Sequence, residues 1–154
     1  MIALIQRVKH ASVTVENKKV SEISEGFLIL LGVFDKDTDK EAALLAKKTV
    51  NLRIFTDEND KMNLSPANLR ENGRECEFLV VSQFTLCAMC KGQNRPSFIP
   101  AASPDAANEL YEKYVSYLRN EYGFTVKTGV FGEHMQVELL NDGPVTIILD
   151  TEKL

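Results

Sequence analysis

The sequence predicts a single α+β domain with a curved, mostly antiparallel sheet covered by two main helices. Three observations carry this. The 154 residues amount to one domain at ~100–200 residues each, long enough to bury a sizeable core. β-prone runs lie before, between and after two clear helical patterns. Two helices are too few to cross over between every pair of strands, which excludes a doubly wound parallel sheet.

Ile2–Val8 is apolar and β-prone and reads as a strand. Ser12-Val13-Thr14-Val15 alternates polar and apolar, the period of a half-buried strand. Asn17-Lys18-Lys19 reads as a turn into Val20–Ile23, and Gly26–Phe34, the most hydrophobic stretch, as a central strand. Thr38-Asp39-Lys40-Glu41 has the form of a capping box, and Ala42, Leu45, Ala46, Thr49 and Leu52 follow at helical spacing. Arg53-Ile54-Phe55 leaves that helix, Asp57–Lys61 reads as a turn, and Cys76–Leu86 as a further strand. A second helix opens at Ser103-Pro104, with proline where its missing N–H costs nothing. It carries Ala107, Leu110, Tyr111, Tyr114, Val115 and Leu118 on one face, and Gly123 marks its stop. Met135, Val137 and Leu139 alternate along one more strand and Val145–Leu149 forms the last, with Asn141-Asp142-Gly143-Pro144 between them.

At 44% hydrophobic and 26% charged residues, the composition is that of an ordinary globular protein and excludes disorder and a disulfide scaffold. Residues 1–154 read as one domain with no linker or repeat. No apolar run approaches the ~20 residues of a membrane span, and no basic leader precedes an apolar block at the N-terminus. A net charge of −4 argues against broad, non-specific coating of nucleic acid and leaves room for a local basic patch. Three cysteines, an odd number, point to reduced thiols and a cytoplasmic protein.

Four constellations bear on chemistry. Cys87-Ala88-Met89-Cys90 has redox or zinc spacing, but Cys76, His10 and His134 stand at no zinc spacing and a loop-like segment follows. No cofactor or metal is therefore expected, and incidental thiols are the plainer reading. Ser82-Gln83-Phe84-Thr85 reads either as a strand end or as hydroxyls, an amide and free backbone N–H groups at a pocket rim. A serine or threonine nucleophile needs a base, and neither His10 nor His134 comes with a patterned acidic partner, so a hydrolase triad is poorly supported. Gly143-Pro144 reads as part of a hairpin connection, where Asp-Gly is expected; the proline also admits a cis bond. Arg7, Lys9, His10, Lys91 and Arg95 are scattered cations that hold a few phosphates only if the fold gathers them.

At these residues the chain closely resembles the D-aminoacyl-tRNA deacylase family over nearly its whole length. The matching pieces are Ile5–Val8 with Ala11–Val13; Leu31–Val33; Leu52–Phe55 with Lys61–Asn63; Ser82–Leu86; Arg95–Phe98; Thr128-Gly129 with Phe131-Gly132; and Asn141–Thr146. Ser82–Leu86 and Asn141–Thr146 are the two signature blocks; either alone is weak, and both in order with their flanks are specific. The chain departs from the family pattern at Asp60, around Met89-Cys90 and at His134.

The resemblance implies a barrel-like sheet and a cytoplasmic homodimer whose active sites lie at the subunit interface, with tRNA as partner. The implied reaction hydrolyses the ester joining a D-amino acid, or mischarged glycine, to tRNA. It implies that Ser82, Gln83, Phe84 and Thr85 form the catalytic floor, with backbone N–H groups near Phe84 and Thr85 as oxyanion donors and the terminal 2′-hydroxyl of the tRNA helping to activate water. It further implies that Gly143 and Pro144, joined by a cis bond and braced by Arg7, reject L-residues by a built-in clash in the partner's site. Two other readings stand beside it: a related deacylase of relaxed chirality acting on L-Ala-tRNA, and a non-catalytic module that binds RNA ends. A thiol-redox role rests on Cys87 and Cys90 alone.

Overall fold

A computed structural model describes all of residues 1–154. Eight strands and three helices form a mixed α+β domain: β1 Ile2–Val15, β2 Lys18–Ile23, β3 Gly26–Gly32, α1 Asp39–Val50, β4 Phe55–Thr56, β5 Met62–Leu64, α2 Pro66–Glu71, β6 Glu77–Ser82, α3 Pro104–Ser116, β7 Val126–Thr128 and β8 Gln136–Asp150. The main sheet runs β2-β1-β3-β6-β7, with β8 also paired to β1, and curls towards a barrel. Pairings around β1 are antiparallel, whereas β3–β6 and β6–β7 are parallel.

β3 is buried along nearly its whole length because both faces are covered. Phe27, Ile29 and Leu31 enter the principal core beneath α1 and α3, while Leu28 joins a second core with Leu79 and Val81 on the opposite face. A strand covered on both sides needs an unbroken apolar run rather than alternation, which is why this stretch is the most hydrophobic in the chain. Met135, Val137 and Leu139 cover the second core from β8.

α1 starts as its sequence dictates: Thr38 accepts from Lys40 N–H, and the Glu41 carboxylate accepts from Thr38 N–H at 2.7 Å. The Thr38 hydroxyl, which donates to the same carboxylate at 2.6 Å, and then this N–H hold the Glu41 carboxyl below the usual carboxylate range. α3 begins at Pro104, ends in a wider π turn over Tyr117–Glu121, and the chain then turns at Gly123.

The structure departs from the sequence reading in four places. Ile2–Val8 and Ser12–Val15 belong to one long strand, bulged around Lys9. The last two predicted strands are likewise one, β8, so Asn141–Pro144 is not a hairpin connection. The strand read as Cys76–Leu86 stops at Ser82 and passes into a 3₁₀ turn, Phe84–Cys87. The short helix α2 and the short strands β4, β5 and β7 have no counterpart in the sequence reading.

The register explains what Asn141–Pro144 does instead. Gln6 pairs with Thr146 and Val8 with Asn141, so Asp142–Val145 bulge out opposite Arg7 alone. The Gly143–Pro144 peptide is cis, and Gly143 has φ +134°. A Cβ there would lie 2.7 Å from Val145 Cγ2 and 3.3 Å from Arg7 Nη2, so only glycine suits the position.

Candidate active site

The C-terminal ends of the parallel strands β3 and β6 open into a cavity of about 570 Å³. Ser82, Gln83 and Phe84 form one wall. Tyr111 lines it from α3, Phe98 and Ala101 from the preceding loop, and Phe131–Met135 from the approach to β8. Gln83 N–H extends the strand ladder past Ser82 by donating to Leu31 O at 2.8 Å. The chain then tightens into the 3₁₀ turn. Gly32 permits this: a Cβ at that position would press on Ile2 at 2.9 Å and on Leu86 Cβ at 3.0 Å.

A 3₁₀ turn leaves its leading N–H groups without partners inside it. Leu86 N–H returns to Gln83 O at 3.2 Å, whereas the Phe84 and Thr85 N–H groups find no acceptor in the molecule. Two free backbone donors therefore follow one another in the turn; Phe84 lines the cavity and Thr85, the next residue, does not, and adjacent free N–H groups suit an oxygen that gains negative charge. The Thr85 hydroxyl is engaged by Gln83 Nε2 at 2.5 Å, and no basic group activates it. Phe84, 57% exposed, meets Phe98 edge-on, with ring centroids 5.0 Å apart.

Deeper in the cavity wall, Tyr111 donates to Val80 O at 2.8 Å, and burial pushes its phenol well above the usual range. His134 and Glu133 also line the cavity. The sequence reading left His134 unplaced and did not single out Tyr111, Phe131 or Glu133 as site residues. Tyr111 belongs to the apolar face of α3 and Phe131 to a matching loop, so neither carries a sequence signal that separates lining from core.

Arg7, Gly143 and Pro144 stand elsewhere. Arg7 is almost buried, 8% exposed. Its Nη1 donates to Ile54 O at 2.5 Å and its Nε to Asp142 O at 3.1 Å, with Asp142 Oδ2 at 3.2 Å. Lys9 Nζ lies 3.4 Å from the same carboxylate. Asn141 Oδ1 accepts Val145 N–H at 3.1 Å, closing the base of the bulge. The Ile54 carbonyl is itself held in place because the adjoining Phe55 stacks on Phe27 at 5.2 Å. Gly143 and Pro144 are exposed on top, and neither lines the cavity of its own chain. Arg7 faces Phe27, four residues before Leu31 on β3, which puts the bulge about 13 Å along the sheet from the cavity at ~3.3 Å per residue.

The remaining candidates stay apart. Cys87 is buried and donates to Val33 O, Cys90 is exposed and Cys76 is buried beneath a different edge; all three are free thiols. His10 is exposed on β1. Lys91 and Arg95 lie in an exposed loop whose root is the Met89–Ser97 bridge.

A curled mixed sheet with a pocket at its parallel strand ends is the frame of a small α+β domain, and its relatives place it among the deacylases, which are hydrolases. The sequence profile of one family, D-Tyr-tRNA(Tyr) deacylase, matches residues 4–150, and the chain belongs to that family. It is 52% identical over 154 residues to a D-aminoacyl-tRNA deacylase of Thermosipho africanus, covering 100% of this chain and 99% of that one. It is 50% identical over 152 residues to a D-aminoacyl-tRNA deacylase of Flavobacterium psychrophilum, covering 99% and 98%. Among solved structures it superposes on the c-Myc DNA Unwinding Element Binding Protein with a TM-score of 0.88 at 41% identity, covering 97% and 98% of the two chains. A probable eukaryotic D-amino acid tRNA deacylase matches with a TM-score of 0.78 at 19% identity, covering 96% and 97%, a likeness of fold. No helix is long and apolar enough to cross a membrane.

Proposed function

We propose that this protein works in the cytoplasm as a homodimer that hydrolyses the ester between a D-amino acid and the 3′ end of tRNA. The observation that carries the reading is the pair of unpartnered N–H groups at Phe84, which lines the cavity, and Thr85, the next residue of the turn. Water adds to the ester carbonyl, and the oxygen that becomes negative is held by these two donors. The tetrahedral adduct then breaks its bond to the ribose oxygen, which takes a proton and leaves as the terminal hydroxyl of tRNA. The amino acid departs as its carboxylate. With no base beside Thr85, activation of the water falls to the 2′-hydroxyl of the terminal adenosine.

Gly143 and Pro144 act as the chiral selector. The bulge that carries them is exposed, pinned by Arg7 and Asn141, and distant from its own cavity; these features support its delivery into the pocket of the second subunit. A main-chain wall beside the α-carbon obstructs an L-side chain and leaves a D-side chain free to point outward. Selection by exclusion ignores what the side chain is, so many D-residues are accepted. Glycine, with no side chain to obstruct, is accepted too.

The test is incubation with D-Tyr-tRNA and with L-Tyr-tRNA, following release of the amino acid. Release from the D-ester alone is expected. Equal release from both removes the selector, and binding of uncharged tRNA with no turnover of either ester favours a nucleic-acid-binding module instead.

A further inference from the structure

We propose that Lys91 and Arg95, on the loop rooted at the Met89–Ser97 bridge, bind phosphates of the unpaired 3′ strand of the RNA whose last nucleotide enters the cavity. The proposal rests on the deacylase reading and adds the contact surface that reading lacks. In a chain of net charge −4, the segment between Glu77 and Asp105 contains no acidic residue, and Lys91 and Arg95 are its only cations. Their loop rises from a two-bond bridge, with Met89 N–H to Ser97 O at 2.8 Å and Ser97 N–H to Met89 O at 2.9 Å. Both side chains are exposed. Neither joins an ion pair, as is also true of Lys18, Lys47 and Lys127; what distinguishes Lys91 and Arg95 is that their segment holds no acidic residue at all. Two uncompensated cations on an acid-free ribbon form a local positive site that the overall charge conceals.

The location selects the occupant. The loop root adjoins Phe98, which lines the cavity, and Phe98 with Phe84 presents aromatic surface at the mouth. Exposed aromatic rings beside unpaired cations are the two components that hold single-stranded nucleic acid, by stacking and by phosphate neutralisation. Acidic groups near the loop root are Asp35 and Glu152 in the neighbouring groove, where Glu152 is paired with Lys36. Glu133 lies on the far wall of the cavity. The bridge from which Lys91 and Arg95 project thus ends one residue before Phe98 on the cavity wall, while Met89 on its other strand borders the neighbouring groove.

The experiment compares the wild type with Lys91→Gln/Arg95→Gln on two substrates, D-Tyr-tRNA and D-tyrosyl-adenosine, which carries no phosphate. With the tRNA substrate the double variant has a higher KM and a shallower salt dependence. At ~0.7 per phosphate contact on a single strand, two contacts change the log–log slope by about 1.4. From about 50 to about 200 mM salt, the wild-type KM then climbs about sevenfold further than the variant's. The loss is confined to the phosphate-bearing substrate, and Lys91→Arg/Arg95→Lys restores the slope. Equal slopes for wild type and variant overturn the proposal, as does an equal loss on both substrates, which assigns the loop to pocket shape. Binding of uncharged tRNA gives the same slope without turnover. If no D-ester is hydrolysed at all, it is the deacylase reading that fails, and this binding slope still decides the role of the loop.

Discussion

Thr85 shows how little a reactive-looking side chain decides when its surroundings are read. Its hydroxyl accepts from the Gln83 amide, no base is hydrogen-bonded to it, and the group left free at this position is its main-chain N–H. Two substitutions separate the roles. Thr85→Ala keeps the N–H and is expected to retain activity within about threefold, a loss on the scale of one neutral hydrogen bond. Thr85→Pro deletes the N–H and also presses Phe84, the residue before it, away from the helical region, so its kcat should fall by at least about 10²–10³, the usual cost of one oxyanion donor. Single-turnover assays on D-Tyr-tRNA read both; a dead Thr85→Ala enzyme with intact fold makes Thr85 the nucleophile after all. The thiols give a second residue-scale prediction. Burial pushes Cys87 up to about 11 and Cys76 up to about 12 from an ordinary value of 9.0. The folded chain thus keeps protons that the unfolded chain releases above pH 9. The associated stability is fully present below that pH and is lost as pH rises through about 11 to about 12. The urea midpoint should fall with alkalinity, and less steeply in Cys76→Ala. Native protein at neutral pH should be alkylated first at the exposed Cys90.

Asn141, Gly143 and Arg7 act together at the scale of the element, because they hold four residues of β8 out of register against one of β1. Removing the Asn141 side chain leaves Val145 N–H without its acceptor and frees the base of the bulge. Asn141→Ala should therefore lower D-over-L discrimination about tenfold, roughly the ~1.4 kcal/mol of one well-placed hydrogen bond, with activity towards the D-ester largely kept. Rates on D-Tyr-tRNA and L-Tyr-tRNA measured side by side decide it, and an unchanged ratio detaches the bulge from selectivity. This same element was the least legible from sequence. Gly143 and Pro144 punctuate a turn in any local reading, and only the pairing of both flanks with β1 makes them a bulge. Lys9-His10 similarly broke the apolar pattern of β1 without ending the strand. By contrast α1 and β3 were legible, since a capping box and a continuous apolar run are local signals that packing reinforces. α2 escaped because its box, Ser65 with Asn68, carries Asn where the recognisable pattern has Glu or Gln, and because six residues show too little periodicity. The 3₁₀ turn was hidden for the opposite reason: Phe84-Thr85-Leu86 is good strand sequence, and it bends only because Gly32 lets Leu86 approach the end of β3.

At the scale of the whole molecule, one chain holds both halves of the proposed site but keeps them apart. The floor lies at the C-terminal ends of β3 and β6, while the bulge stands beside Phe27, near the start of β3. The core fixes that separation. Phe27, Ile29 and Leu31 are buried in succession between the two positions, so no loop motion brings the bulge to its own floor without unpacking the sheet. A two-fold pair solves the problem, because an isologous contact lets each chain offer its bulge to the other's pocket. The arrangement can be tested with two defective proteins. Thr85→Pro damages the floor and spares the bulge. Gly143→Val damages the bulge, since a β-branched residue at φ +134° would strike Val145 and Arg7, and it spares the floor. The Thr85→Pro homodimer should hydrolyse neither ester well, and the Gly143→Val homodimer, its floor intact, should hydrolyse both D-Tyr-tRNA and L-Tyr-tRNA. Unfolded, mixed in equal amounts and refolded, half of the dimers are mixed pairs, and each mixed pair has one site with an intact floor and an intact bulge. Per Gly143→Val chain, hydrolysis of L-Tyr-tRNA should then fall to about half, while hydrolysis of D-Tyr-tRNA stays the same. If bulge and floor served each other within one chain, every Gly143→Val floor would keep its own damaged bulge and mixing would leave L-Tyr-tRNA hydrolysis per Gly143→Val chain unchanged.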